Sequence, residues 1–86
     1  MKEFVYKITE SHGLHTRPAE LLSKQAAKYK SSITAAMGQD KADVKQLSAL
    51  MGLEIKTGDV IKFQSEGADE DKASDAIHDF LTEHQY

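Results

Sequence analysis

The chain contains no cysteine, a single proline and no long apolar run. Without cysteine, neither a disulfide framework nor a thiolate metal site can form. The opening residues Met1-Lys2-Glu3-Phe4-Val5-Tyr6-Lys7 lack the apolar stretch of a signal peptide, and no later segment reaches the roughly 20 apolar residues that a spanning helix needs. The expectation is a cytoplasmic protein with no membrane insertion. Positive charge is scarce too. Eleven Lys and Arg against 14 Asp and Glu leave a formal charge of −3, which argues against general nucleic-acid binding, because that mode draws on clustered cations to displace counterions. With 86 residues there is interior for one core, burying about 60–65% of the unfolded surface, so 1–86 reads as one domain.

What the chain does have is clean periodicity. It predicts strand 3–9, helix 16–28, strand 32–37, strand 41–44, a short helix 46–52, strand 60–66 and helix 69–84. Ile33, Ala35 and Met37 alternate with polar neighbours, as do Ile61, Phe63 and Ser65, so both strands should bury one face and wet the other. Gly38-Gln39-Asp40 and Lys56-Thr57-Gly58-Asp59 supply turns. Ala19, Leu22, Ala26 and Tyr29 recur at helical spacing, and Ala73, Ile77, Phe80 and Leu81 form a second stripe. The order βαββαβα is a split βαβ pattern with one added helix. It predicts an α+β open-faced sandwich, a four-stranded antiparallel sheet with three helices on one face.

The most informative stretch is Gly13-Leu14-His15-Thr16-Arg17-Pro18-Ala19, where a strand hands over to a helix. The first N–H groups of a helix have no intrahelical partner, and its dipole favours negative charge. With His15 as N-cap, Thr16 and Arg17 offer free N–H groups, Pro18 occupies the first turn where its missing N–H costs nothing, and Gly13 permits the sharp turn before them. A free imidazole, with a reference pKa of about 6.5, is mostly unprotonated near neutrality and nucleophilic. Phosphoryl transfer needs little beyond positioning and charge stabilisation, which the helix N-terminus and the Arg17 guanidinium can supply without a metal. The chemistry this points to is a phosphohistidine. Taken alone, a histidine in an exposed turn is more often merely solvated; the residues around it reverse that weighting.

Those residues resemble the active-site signature of the HPr family, the histidine-containing phosphocarrier proteins of the bacterial sugar phosphotransferase system. The resemblance extends through Ala26-x-x-Tyr29, Lys45-x-Leu47-x-x-Leu50-Met51 and Glu66-Gly67-Ala68-Asp69-Glu70. It implies the same open-faced sandwich. It also implies a cycle in which enzyme I phosphorylates His15 on Nδ1 and the group passes to the IIA domains of sugar permeases, with Arg17 neutralising the added charge of about −1.5 to −2. No cofactor and no metal are implied. Leu47 and Met51, one turn apart on the second helix, are expected to form an exposed apolar pair for docking, with Ser48, Glu20 and Lys24 around it, while Leu50 and Leu53 plug the core. Such docking should be weak and brief, and the carrier a monomer that keeps this surface free. Lys41 and Asp43 would discourage pairing between chains at the edge of the sheet.

The chain departs from the family at Gln46, where Gram-positive members carry a regulatory serine. Ser48 is a substitute only if it is more than an exposed polar residue. Glu20, one turn beyond Thr16, adds negative charge close to the proposed phosphoryl site and should repel phosphate and acidic partners. His12 stands three residues before His15. Two histidines without a third ligand make a poor zinc set, so His12 reads either as solvated or as a like charge that favours the neutral form of His15. His78 and His84 read as surface residues. Besides a carrier, the same surface would suit an HPr-like regulatory binding module, or a carrier dedicated to a fructose or nitrogen-regulatory branch. Nothing supports an independent turnover enzyme, because the chain has no pocket-forming insertion, second base or cofactor motif.

Overall fold

The computed structural model describes residues 1–86. The elements follow in the order β1 (Lys2–Lys7), α1 (Thr16–Ala26), β2 (Ser32–Met37), β3 (Asp40–Asp43), α2 (Leu47–Gly52), β4 (Val60–Glu66) and α3 (Glu70–Glu83). The four strands form one antiparallel sheet in the order β1-β4-β2-β3. All three helices pack on one side, α3 against β1, β4 and β2, α2 beside β3, and α1 against both other helices. This is the α+β open-faced sandwich that the alternation and the helical stripes predict.

Side-chain chemistry accounts for the layering. On β4, Ile61, Phe63 and Ser65 are buried while Val60, Lys62 and Glu66 face water, and Ile33 and Ala35 on β2 point inward beside them. Leu22, Leu50, Ile77 and Leu81 close the core from the helix side and are almost inaccessible. Each such aliphatic side chain stabilises the fold by about 1.5–3 kcal/mol relative to exposure. Met37, at the end of its strand, is only half-buried. The other side of the sheet is open, with Val5 61% and Val60 52% exposed beside Lys62.

The element boundaries shift from the periodicity by one or two residues, for identifiable reasons. Helix α1 stops at Ala26 because the next turn tightens. Lys28 and Tyr29 donate to Gln25 and Ala26, three residues back. Strand β3 covers Asp40–Asp43, although the Val44 N–H still reaches the Ile33 carbonyl at 2.9 Å. Gln46 and Asp69 are N-caps rather than helical residues.

Asp69 caps α3 by position only. Its carboxylate turns away from the helix and accepts from the Lys30 N–H, the Ser31 N–H (2.9 Å each) and the Ser31 hydroxyl. These bonds, the Ser31 hydroxyl first, hold its carboxyl down at about 2, well below the usual aspartate range. Gly67 lies over the same point with φ +150, where a Cβ would come within 2.8 Å of Ser31 Cα. The α1–β2 loop is thereby tied to the start of α3.

Candidate functional site

The α1 N-terminus is built from the sheet outward. After β1, the chain turns at Gly13, which is buried with φ +67. Its N–H donates to the Glu10 carbonyl at 2.9 Å, and the Leu14 N–H donates to the Ile55 carbonyl at 3.0 Å. The Thr57 hydroxyl reaches the Glu10 carbonyl. Leu14 then drops into the core. His15 is therefore held from both sides: by the buried Leu14 before it, and by the Ala19 N–H, which donates to its carbonyl at 3.0 Å.

His15 is the N-cap of α1, extended at φ −81 and ψ −172, and its side chain makes no capping bond. The imidazole is exposed. No protein acceptor takes the N–H groups of Thr16 or Arg17, and Pro18, buried in the first turn, has none to give. An exposed imidazole thus stands beside two free backbone donors at the positive end of a helix dipole, the arrangement suited to holding an anion. No acidic residue occupies this first turn.

Ionisable side chains surround it in pairs. Arg17 Nη1 donates to Glu20 Oε1 at 3.2 Å, and Lys24 Nζ lies 3.8 Å from the same oxygen. Glu20, expected to repel an incoming anion, is thus the partner of the arginine expected to attract one. On the other side the His12 ring centroid is 5.8 Å from that of His15. His12 Nδ1 lies 3.3 Å from the Ser11 hydroxyl and 3.5 Å from Glu10 Oε1. The Ser11 hydroxyl and the His12 N–H hold the Glu10 carboxyl below its usual range. No group of three His, Cys, Asp or Glu side chains is placed to hold a metal ion.

Helix α2 flanks the site across a shallow groove lined by Glu20, Ser23, Lys24, Ala27, Lys45 and Leu47. Leu50 and Leu53 are buried, as the periodicity suggests. Leu47 and Met51, expected to be exposed, are half-buried and lean on the core with part of each side chain still accessible. Ser48 and Gln46 are exposed. Two contacts that the sequence does not signal fix the groove. Ser23 donates to the Lys45 carbonyl at 3.0 Å, and Lys45 Nζ donates to the Tyr29 carbonyl at 2.7 Å. His78 and His84 are surface residues, although their rings pack on Phe4 and Phe80.

The family model described as the PTS HPr component phosphorylation site matches residues 2–83. The phosphocarrier protein HPr of Mycoplasma capricolum is 40% identical over 77 residues, which is 90% of this chain and 86% of the relative. A solved histidine-containing phosphocarrier protein of Mycoplasma superposes with a TM-score of 0.94 at 36% identity, covering 96% of this chain and 94% of its own. An HPr dimer from Thermoanaerobacter tengcongensis superposes with a TM-score of 0.76 at 36% identity, covering 99% of this chain and 97% of the other. The sandwich that presents the exposed N-cap histidine and its free donors is shared with these structures, and the chain belongs to the HPr family, the phosphocarrier proteins of the phosphotransferase system.

Proposed function

We propose that residues 1–86 act as one domain that carries a phosphoryl group on Nδ1 of His15, receiving it from enzyme I and delivering it to the IIA domains of sugar permeases. The observation that carries this reading is the exposed His15 imidazole at the N-cap of α1, beside the unpartnered N–H groups of Thr16 and Arg17. The lone pair of a neutral imidazole nitrogen attacks phosphorus. The new N–P bond forms as the phosphoryl group's bond to the donor breaks, and that bonding pair leaves with the donor. The proton on the other nitrogen of His15 is then free to leave for solvent. Delivery to the acceptor runs the same exchange in reverse, so no metal or cofactor takes part. The Thr16 and Arg17 N–H groups and the Arg17 guanidinium stabilise the charge on the transferring group.

Docking is assigned to the groove, which Glu20 and Lys24 help to line, and to the accessible parts of Leu47 and Met51, with Ser48 on the same helix. This patch adjoins the histidine, so one surface serves donor and acceptor in turn. A small, partly apolar contact of this kind suits transient complexes, and a monomer acting in the cytoplasm leaves it free. Gln46 has no hydroxyl, so control by a serine kinase does not operate at that position.

Incubation with enzyme I and phosphoenolpyruvate, followed by intact mass and phosphorus NMR, tests the reading. The native chain should gain one acid-labile phosphoryl group, with a chemical shift that assigns Nδ1, and His15→Ala should gain none. A folded native chain that takes no phosphate from its own host's enzyme I would refute the carrier assignment and leave a regulatory binding module.

A further inference from the structure

Resting on the carrier reading, we propose that Glu20 is a positioning residue that competes with the phosphoryl group for Arg17. The competition makes the phosphorylated chain a better donor than it would otherwise be. The Arg17 guanidinium is already engaged: Nη1 donates to Glu20 Oε1 at 3.2 Å. Lys24, 3.8 Å from the same oxygen, gives the carboxylate a second cation one helical turn further on. These are i,i+3 and i,i+4 relations on α1, geometrically available to any rotamer exchange along the helix surface.

The chemistry of the exchange follows from charge. A phosphoryl group on His15 carries about −1.5 to −2 against −1 on Glu20, so it draws the guanidinium toward the helix N-terminus. Glu20 keeps Lys24 and is not left as an uncompensated charge. Each phosphorylation therefore breaks one ion pair, and each delivery restores it. The free-energy cost of breaking the pair is subtracted from the site's hold on phosphate, which raises the tendency to pass the group on. All three side chains are substantially exposed, at 69% for Arg17, 38% for Glu20 and 71% for Lys24. The effect is accordingly modest, about two- to fivefold in the phosphoryl exchange equilibrium, and it should shrink as salt is raised.

The test mixes equal amounts of wild-type chain and ¹⁵N-labelled Glu20→Gln with catalytic enzyme I and limiting phosphoenolpyruvate. Reversible transfer brings the two chains to equilibrium, and intact mass reads how the phosphoryl group is shared. A two- to fivefold preference for the Gln chain is expected at low salt. NMR of the Arg17 Nε–Hε group supplies a readout that a merely structural role would not move. Its signal should differ between the two unphosphorylated chains and converge once both are phosphorylated. Equal sharing, or the same Arg17 signal in both unphosphorylated chains, would overturn the role of Glu20 and leave the carrier reading intact. Absence of phosphate on both folded chains would overturn the two together.

Discussion

Gly13→Ala separates a contact cost from a conformational one, because Gly38 provides a matched control. Both glycines have positive φ, +67 and +62. A side chain in that left-handed region costs about 1–2 kcal/mol, and the stiffening of the unfolded chain by alanine is the same at the two sites. They differ in what a Cβ would meet. At Gly38 nothing lies within 4 Å, whereas at Gly13 the Cβ would stand 2.6 Å from the Ile55 carbonyl oxygen and 2.8 Å from Lys56 Cα. The backbone at 55–56 must then move, and the Leu14 N–H to Ile55 bond moves with it. Overpacking of this kind costs about 1–3 kcal/mol, and a lost hydrogen bond about 0.5–1.5 kcal/mol. Gly13→Ala should therefore be less stable than Gly38→Ala by about 2–4 kcal/mol. For a chain of this size each kcal/mol moves Tm by about 4–8 °C, so the two melts should differ by at least about 8 °C. Thermal unfolding followed by circular dichroism, with urea titrations at 15 °C, measures the gap. Melts within about 3 °C of each other would refute the claim that the loop before His15 is locked by close approach to the 55–56 backbone.

Two further outcomes are expected from the fold. Because Asp69 has a depressed carboxyl pKa, at about 2, its stabilising effect is fully present above the unfolded aspartate value of about 3.9 and is lost as pH falls through 2. The stability difference between wild type and Asp69→Asn in urea titrations should hold from pH 7 to pH 5 and narrow toward pH 2; a difference independent of pH would show that the Ser31 and Lys30 bonds do not depend on the charge. Glu54, exposed after α2, has φ +52, a conformation glycine adopts without a Cβ penalty. Glu54→Gly should gain about 0.5–1 kcal/mol and raise Tm by a few degrees, and an unchanged or lower Tm would mean that the side chain makes up the strain elsewhere.

The parts of this fold that were legible in the sequence are those whose signal is periodic. Ile61, Phe63 and Ser65 on β4, and Ala73, Ile77, Phe80 and Leu81 on α3, are buried as their spacing predicts. The candidate site was legible for a related reason: N-cap His15, Thr16, Arg17 and Pro18 are consecutive, and a helix start is a local event. What escaped is non-local. Asp69 and Ser31 lie 38 residues apart, and no pattern near either announces that an N-cap carboxylate will bond to another loop. Leu14 and Ile55, both core residues, meet only once the 53–59 segment folds under the turn. The Arg17–Glu20 pair is different. Its i,i+3 spacing is visible in the sequence, but spacing alone does not say whether the arginine faces an incoming anion or the nearer carboxylate. Leu47 and Met51 are less exposed than their spacing predicts, because in a six-residue helix both residues flanking the buried Leu50 still pack against the core.

The pairs around His15 bear on how an acidic chain can hold an anion and still release it. Backbone donors at the α1 N-terminus are fixed by the helix and cannot be withdrawn, so they supply a constant attraction. The side-chain cation is not constant. Arg17 is shared with Glu20, so its recruitment by a phosphoryl group comes at the expense of a carboxylate contact. A site with Arg17 unpaired would retain phosphate more firmly and hand it on less readily, since transfer in each direction is governed by the same free-energy difference. On the carrier reading, the Glu20 carboxylate therefore belongs to the function rather than opposing it: it brings the bound and released states closer in free energy, as a group relayed in both directions requires.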